Sequence, residues 1–208
     1  MLAQYSTEFA LIALAHLLAV ISPGPDFLMT VRQSVRHGFR TGSWTAIGIG
    51  SGILVHVTYT VLGIAVLLRD NPRLFEMVRY AGALYLLWLG WQCLRSGGAT
   101  SAEVNGTAEP MPSMWQAFRI GFLTNALNPK ATLFFLALFT SIVSLTTPWP
   151  IQVGYGLWMM VVTALWFVLV AWLMVRPPVR AMFLRAGVWF DRVLGVLLWL
   201  VAVRLVWL

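Results

Sequence analysis

Charge is what this sequence has least of. Of its 208 residues only 10% are charged, while 60% are hydrophobic and the mean hydropathy is +0.81. A soluble domain of this length needs far more charge to cover its surface, so the composition excludes that class and assigns the chain to the integral membrane proteins. Cysteine is reduced to one residue, Cys93, which rules out a disulfide framework or a cysteine-based redox relay. Cys93 reads as a small packing residue near the end of a helix. Lysine is equally scarce: 13 of the 14 basic residues are arginines spread through short loops. That pattern serves membrane topology and not a basic groove, so no nucleic-acid partner is expected despite a net charge of +7. The N-terminus lacks a basic n-region and the first apolar run ends without a small-residue cleavage site, so no cleavable signal is expected.

Long apolar runs are what the sequence has in place of charge. A spanning helix takes about 20 mainly apolar residues, and six stretches qualify, at about 9–31, 43–68, 75–94, 118–143, 151–175 and 187–208. The runs are continuous, not alternating, which predicts an all-α bundle and not a β-barrel. Six spans put both termini on one side of the bilayer. That side holds four arginines (Arg69, Arg73, Arg79, Arg204) and the other holds nine (Arg32, Arg36, Arg40, Arg95, Arg119, Arg176, Arg180, Arg185, Arg192). The positive-inside rule then places both termini outside the cytoplasm. Residues 95–113 are rich in glycine, serine and threonine and read as a flexible cytoplasmic linker. It divides one transmembrane domain, residues 1–208, into repeats of about 1–95 and 115–208.

The two parts resemble each other. Ser22-Pro23 in the first span has a counterpart in Asn128-Pro129 of the fourth, each an N-cap residue followed by proline. Arg79-Tyr80-Ala81-Gly82 in the third span pairs with Arg192-Val193-Leu194-Gly195 in the sixth. A three-span unit copied once runs with inverted topology, and inverted repeats with interrupted helices at matching positions mark secondary transporters, with the interruptions at the binding site. Broken backbone survives in a bilayer only inside protein or beside a watery cavity, so Ser22-Pro23-Gly24-Pro25 is expected to face the bundle interior. Half-helices beginning there and at Asn128-Pro129 would aim free N–H groups and positive dipole ends at one cavity, an arrangement suited to a carboxylate ligand.

Two charges accompany the breaks: Asp26, three residues after Pro23, and Lys130, directly after Pro129. A central Asp or Lys costs about 2.5–3.5 kcal/mol on translocon scales, so both are expected to be paired or wet. Two readings stand: contacts to substrate and coupling ion, or a structural pair that locks the two parts together. His16 and His56 are the other titratable groups inside spans; His56 lies among Gly48, Gly50 and Gly52 and reads as a hydrogen-bonding residue or a proton relay. Asn125 is a further candidate for the site.

The segments SPGPDFL near the N-terminus, GALYLLWLGWQCLR in the third span and GFLTNALNPKATLFF in the fourth resemble the LysE/RhtB family of bacterial amino-acid exporters. The resemblance covers nearly the whole chain. It implies a six-helix inner-membrane protein that exports amino acids or related metabolites in exchange for protons, with no cofactor. By the same resemblance Pro23, Gly24, Pro25, Asp26, Asn128, Pro129 and Lys130 carry over as motif residues. The chain departs from the family pattern at Phe139-Thr140-Ser141, where a proline and a phenylalanine often follow the motif, and at Ala202, where a late glycine is usual.

Other classes fit less well. An intramembrane hydrolase would draw on Ser22, His16, His56 and Asp26, but no Gly-x-Ser-x-Gly elbow surrounds Ser22. A metal-ion exporter would need several ligands within the membrane, and the breaks supply one carboxylate and one lysine. A cationic substrate would call for further cavity carboxylates, so a neutral or small polar amino acid is favoured, with Asp26 near its ammonium and a helix end near its carboxylate. Small-residue faces are compatible with a homodimer.

Overall fold

Proline and glycine decide where the helices of this chain stop. The computed structural model describes residues 2–22, 24–70, 111–144 and 146–182, with isolated positions between 73 and 95 and between 189 and 203. The continuous stretches form α1 (Leu2–Ile21), α2 (Pro25–Asp70), α3 (Met114–Ala126), α4 (Pro129–Ser141) and α5 (Trp149–Met174), and no strand occurs among the described residues.

The expected first span is therefore not one helix. α1 ends at Ile21, and α2 starts at Pro25 with its first turn closed by the Leu28 N–H on the Gly24 carbonyl at 2.9 Å. Gly24 stands at the N-cap and Pro25 at the first helical position, where a missing N–H is harmless and the fixed φ suits the helix. This restart lies two residues beyond the Ser22-Pro23 pair that the sequence points to; Pro23 itself lies outside the described residues. The second break falls where expected. Asn128 caps α4 by accepting the Lys130 N–H at 2.9 Å, Pro129 follows it, and α3 and α4 bend by 55° across the junction. α3 opens on a capping box between Ser113 and Gln116.

α2 runs for 46 residues and bends once, at Gly38, whose φ of 85° and ψ of 172° are essentially closed to residues with a Cβ. The bend divides it into a short arm, 25–37, and a long arm, 39–70. The short arm rises only about 20 Å, less than a bilayer core of about 30 Å. Among the described residues three stretches are long and apolar enough to span (Gln4–Ile21, Pro25–Gly63 and Trp149–Met174), and the bent pair α3–α4 makes a fourth if taken as one crossing. The third and sixth expected spans and most of the linker fall largely outside the described residues. At isolated positions these two stretches touch: a Cβ on Gly195 would lie 2.6 Å from the Gly90 carbonyl oxygen, and the Trp199 indole N–H donates to the Leu87 carbonyl at 2.7 Å.

Packing follows membrane rules, in which lipid is as apolar as leucine and helices associate by close backbone approach. A Cβ on Gly48 would run into the Phe118 carbonyl, and one on Gly121 into the Thr45 carbonyl, so α2 and α3 cross at glycine on both sides. Buried hydroxyls on α2 return their hydrogen bonds to their own helix: Thr30 to the Asp26 carbonyl at 2.8 Å, Thr45 to Thr41 at 3.1 Å and Thr60 to His56 at 2.6 Å. Two apolar clusters result, one around Ile12, Phe135, Phe139 and Met159, the other around Phe27, Val31, Ile49 and Phe167. Leu14, Leu62 and Leu165 remain exposed, as lipid-facing residues do.

Candidate functional site

Members of both apolar clusters line a cavity where the two helix breaks meet. Its polar wall is built from Ser22, Gly24, Asp26, Asn125, Asn128 and Lys130, with His16 and Thr163 to one side. About 50 Å³ is open to the centres of water molecules, several times what one water needs. The short arm of α2 brings Asp26, the end of α3 brings Asn125, and the start of α4 brings Lys130. Asp26 lies about 100 residues before the other two in sequence and is joined to them only by the fold.

Asp26 is the second residue of its helix, where the free N–H groups and the dipole favour a negative charge. Its Oδ2 accepts from the Asn125 side-chain amide at 2.9 Å and from that of Asn128 at 3.4 Å. Its Oδ1 is shielded from solvent and has no hydrogen-bond partner among the described residues. A carboxylate with one oxygen held and the other open is prepared to receive a donor.

Lys130 holds the same second position in α4, where the dipole opposes a positive charge. Its ammonium reaches back across the cavity, donating to the Ser22 hydroxyl at 3.1 Å and more weakly to the Ser22 carbonyl at 3.5 Å, just past the C-terminal end of α1. Gly24 makes room for it, since a Cβ there would lie 3.2 Å from Nζ. The charge of Lys130 also acts on Asp26 across the same space. Ser22 thus accepts from Lys130, and the N-cap position of α2 falls to Gly24, which is a correction to the cap–proline reading of Ser22-Pro23.

His56 is brought to the second break but not into the cavity wall. In an unbroken helix the Asn125 carbonyl would accept from residue 129, which is proline and has no N–H. It accepts instead from the Asn128 N–H at 2.9 Å and from His56 Nε2 at 3.0 Å. Because a carbonyl only accepts, Nε2 carries the hydrogen, and Nδ1 meets the Tyr59 hydroxyl at 2.8 Å, which also reaches the Thr132 carbonyl at 3.4 Å. Phe135 stacks on the ring at 5.3 Å. The histidine completes the backbone accounting of a broken helix. His16 pairs through Nε2 with the Thr163 hydroxyl at 3.0 Å, linking α1 to α5 beside the cavity.

The sequence reading missed one buried carboxylate. Glu8 is 6% exposed and accepts from the Thr147 hydroxyl at 2.8 and 2.9 Å, the Ser144 N–H at 3.2 Å and the Tyr155 hydroxyl at 3.4 Å. It ties the outer part of α1 to the turn between α4 and α5, about 20 Å of helix from the break. It lies one residue before the expected first span, so its only signal was a lone carboxylate running directly into Phe9-Ala10-Leu11.

Comparison with known proteins fits this arrangement. Residues 17–208 match the profile of the family described as LysE type translocator. The chain is 30% identical to the Threonine efflux protein of Escherichia coli K12 over 192 residues, 91% of this chain and 92% of the relative. It is 34% identical to the Leucine efflux protein of Salmonella choleraesuis over 131 residues, 62% of this chain and 60% of the relative. No solved structure matches it. Neither the hydrolase nor the metal-exporter alternative finds support in these relatives, and among the described residues no three His, Cys, Asp or Glu side chains gather as a metal site. The chain belongs to the LysE type translocator family, and it is a membrane transporter, helical in its described elements, and not an enzyme.

Proposed function

We propose that this transporter exports a small neutral amino acid across the bacterial inner membrane in exchange for protons. The observation that carries the reading is the meeting of two helix N-termini, with Asp26 and Lys130 beside them, at one cavity. The open Oδ1 of Asp26 suits the substrate ammonium or the coupling proton. Lys130 and the N-terminus of α4 suit the substrate carboxylate, with Asn125 and Asn128 holding the acceptor in register. The Lys130 ammonium is held within reach of the cavity by its bond to Ser22. A single carboxylate in the polar wall balances one ammonium and no second cation, which favours a neutral side chain. The relatives named for threonine and leucine efflux support that class and the outward direction.

In the same proposal the domain spans six times as two inverted three-helix repeats, with both termini outside the cytoplasm. The support is a repeated order of parts: helix, proline break and 13-residue half-helix, then a long helix, in α1 and α2 and again in α3, α4 and α5. The arginine asymmetry supports the orientation, and the association of two copies remains part of the proposal. The test is efflux of labelled amino acids from vesicles loaded with one compound at a time. Threonine, leucine or another neutral amino acid should leave faster than lysine or glutamate, and acid outside should speed it. Efflux of no amino acid, or a rate indifferent to the proton gradient, would contradict the respective half of the proposal.

A further inference from the structure

A second cavity opens at the arginine-rich end of the same two elements that frame the first. It lies between the short arm of α2 and α3, lined by Gln33 and His37 from the arm and by Gln116, Arg119 and Leu123 from the helix. About 540 Å³ of it is open to water centres, roughly ten times the central cavity. Asp26 and Gln33 are seven residues apart on one helix, so they share a face at a separation of about 10 Å. The two cavities therefore follow one another along the short arm of α2.

The lining carries its own chemistry. Gln33 is only 5% exposed, yet its Oε1 has no hydrogen-bond partner among the described residues, and its amide nitrogen meets only the Met29 sulfur at 3.9 Å. A buried amide left this poorly satisfied is expensive unless a ligand or water completes it. Gln116 commits its carbonyl to the Ser113 N–H at 2.8 Å, which leaves its NH2 end as the donor. Arg119 adds a guanidinium, the side chain best shaped to hold a carboxylate, and no Asp or Glu is among the described residues that line the cavity.

We infer that this second cavity is a reception site for the substrate's α-carboxylate and α-ammonium, occupied before the central cavity, with Arg119 holding the carboxylate and the Gln33 carbonyl the ammonium. This deepens the amino-acid reading above and rests on it. Its partner chemistry, an oxyanion beside an ammonium, is also that of an ethanolamine lipid headgroup, which the test separates from a free amino acid.

The experiment measures efflux rate against internal amino-acid concentration for the full chain in vesicles, using whichever neutral amino acid the wild type exports fastest. Arg119→Gln and Gln33→Leu should each raise the half-saturating concentration about fivefold or more, with the maximal rate within about twofold, because an outlying site affects capture and not the central step. Arg119→Lys should recover part of the loss. Asp26→Asn should instead lower the maximal rate. Unchanged half-saturation in both Arg119→Gln and Gln33→Leu would overturn the inference while leaving the export reading intact. An effect that vanishes in vesicles without ethanolamine lipid would assign the cavity to lipid and also overturn it. A wild type that moves no amino acid would remove the export reading first, and the assigned ligand with it. Arg119 is exposed, so its variants test the inference even if Gln33→Leu fails to fold.

Discussion

At the first break a proline opens the short arm of α2 and the next residue is Asp26. At the second a proline opens α4 and the next residue is Lys130. The backbone device is the same, and the side chain at the second helical position is reversed in sign. Asp26 sits where its own helix favours it, a preference of about 0.3–1 kcal/mol at exposed sites and more where partly buried. Lys130 sits where its helix disfavours it and is held from outside, by Ser22 beyond the end of α1. The carboxylate is fixed by asparagines of the second break, and the ammonium by a serine of the first. Each break therefore completes the other. Neither charge is stationed by its own helix alone, and a ligand that competes for either one loosens the junction between the two.

Crowding one break should break the comparison most strongly. In Gly24→Val the added Cβ would lie 3.2 Å from Lys130 Nζ and 3.4 Å from its Cδ, so the lysine side chain must give way to the new group. Transport should fall more than about tenfold, equivalent to about 1.4 kcal/mol or more of lost site energy, while Gly24→Ala should fall less. Efflux rates at equal amounts of inserted protein measure this; full transport in the valine variant would show that Lys130 is not held at the first break.

A smaller effect should separate the two breaks. His56→Leu removes one donor from the Asn125 carbonyl, at the second break only, and leaves that carbonyl with Asn128 alone. The expected loss is about 1–3 kcal/mol of stability, read as a lower midpoint of thermal unfolding in detergent, with partial recovery in His56→Gln. An unchanged midpoint in the leucine variant would mean that the bond from Asn128 suffices.

How far the sequence reveals this arrangement depends on how local the chemistry is. Proline lacks an N–H whatever surrounds it, so both interruptions were legible, as was the pairing of Asn128 with Pro129. The first restart came out two residues late because Ser22 looks like a cap, and only the fold shows its hydroxyl committed to Lys130. Asn125 was legible as a candidate but not as the partner of Asp26, since the bond closes across 99 residues. His56 reads as a hydrogen-bonding residue more readily than as a relay, and only the fold locates the carbonyl it serves. The Gly38 bend left no trace, because one glycine among Arg36, His37 and Phe39 breaks no periodicity. The match between the third and sixth spans falls largely on residues the structure does not describe.

The central claim is that Asp26 and Lys130 play different parts at one cavity instead of forming a lock. Net efflux, substrate exchange and thermal stability of Asp26→Asn, Lys130→Met and the double variant test it together. Asp26→Asn keeps the shape and should abolish proton-driven efflux while retaining exchange. Lys130→Met should weaken binding, so that efflux and exchange fall in parallel. The double variant should be as inactive as the worse single one. A structural lock behaves otherwise: removing both members of a buried charged pair relieves what removing one creates. Recovery of both stability and transport in the double variant would contradict the account.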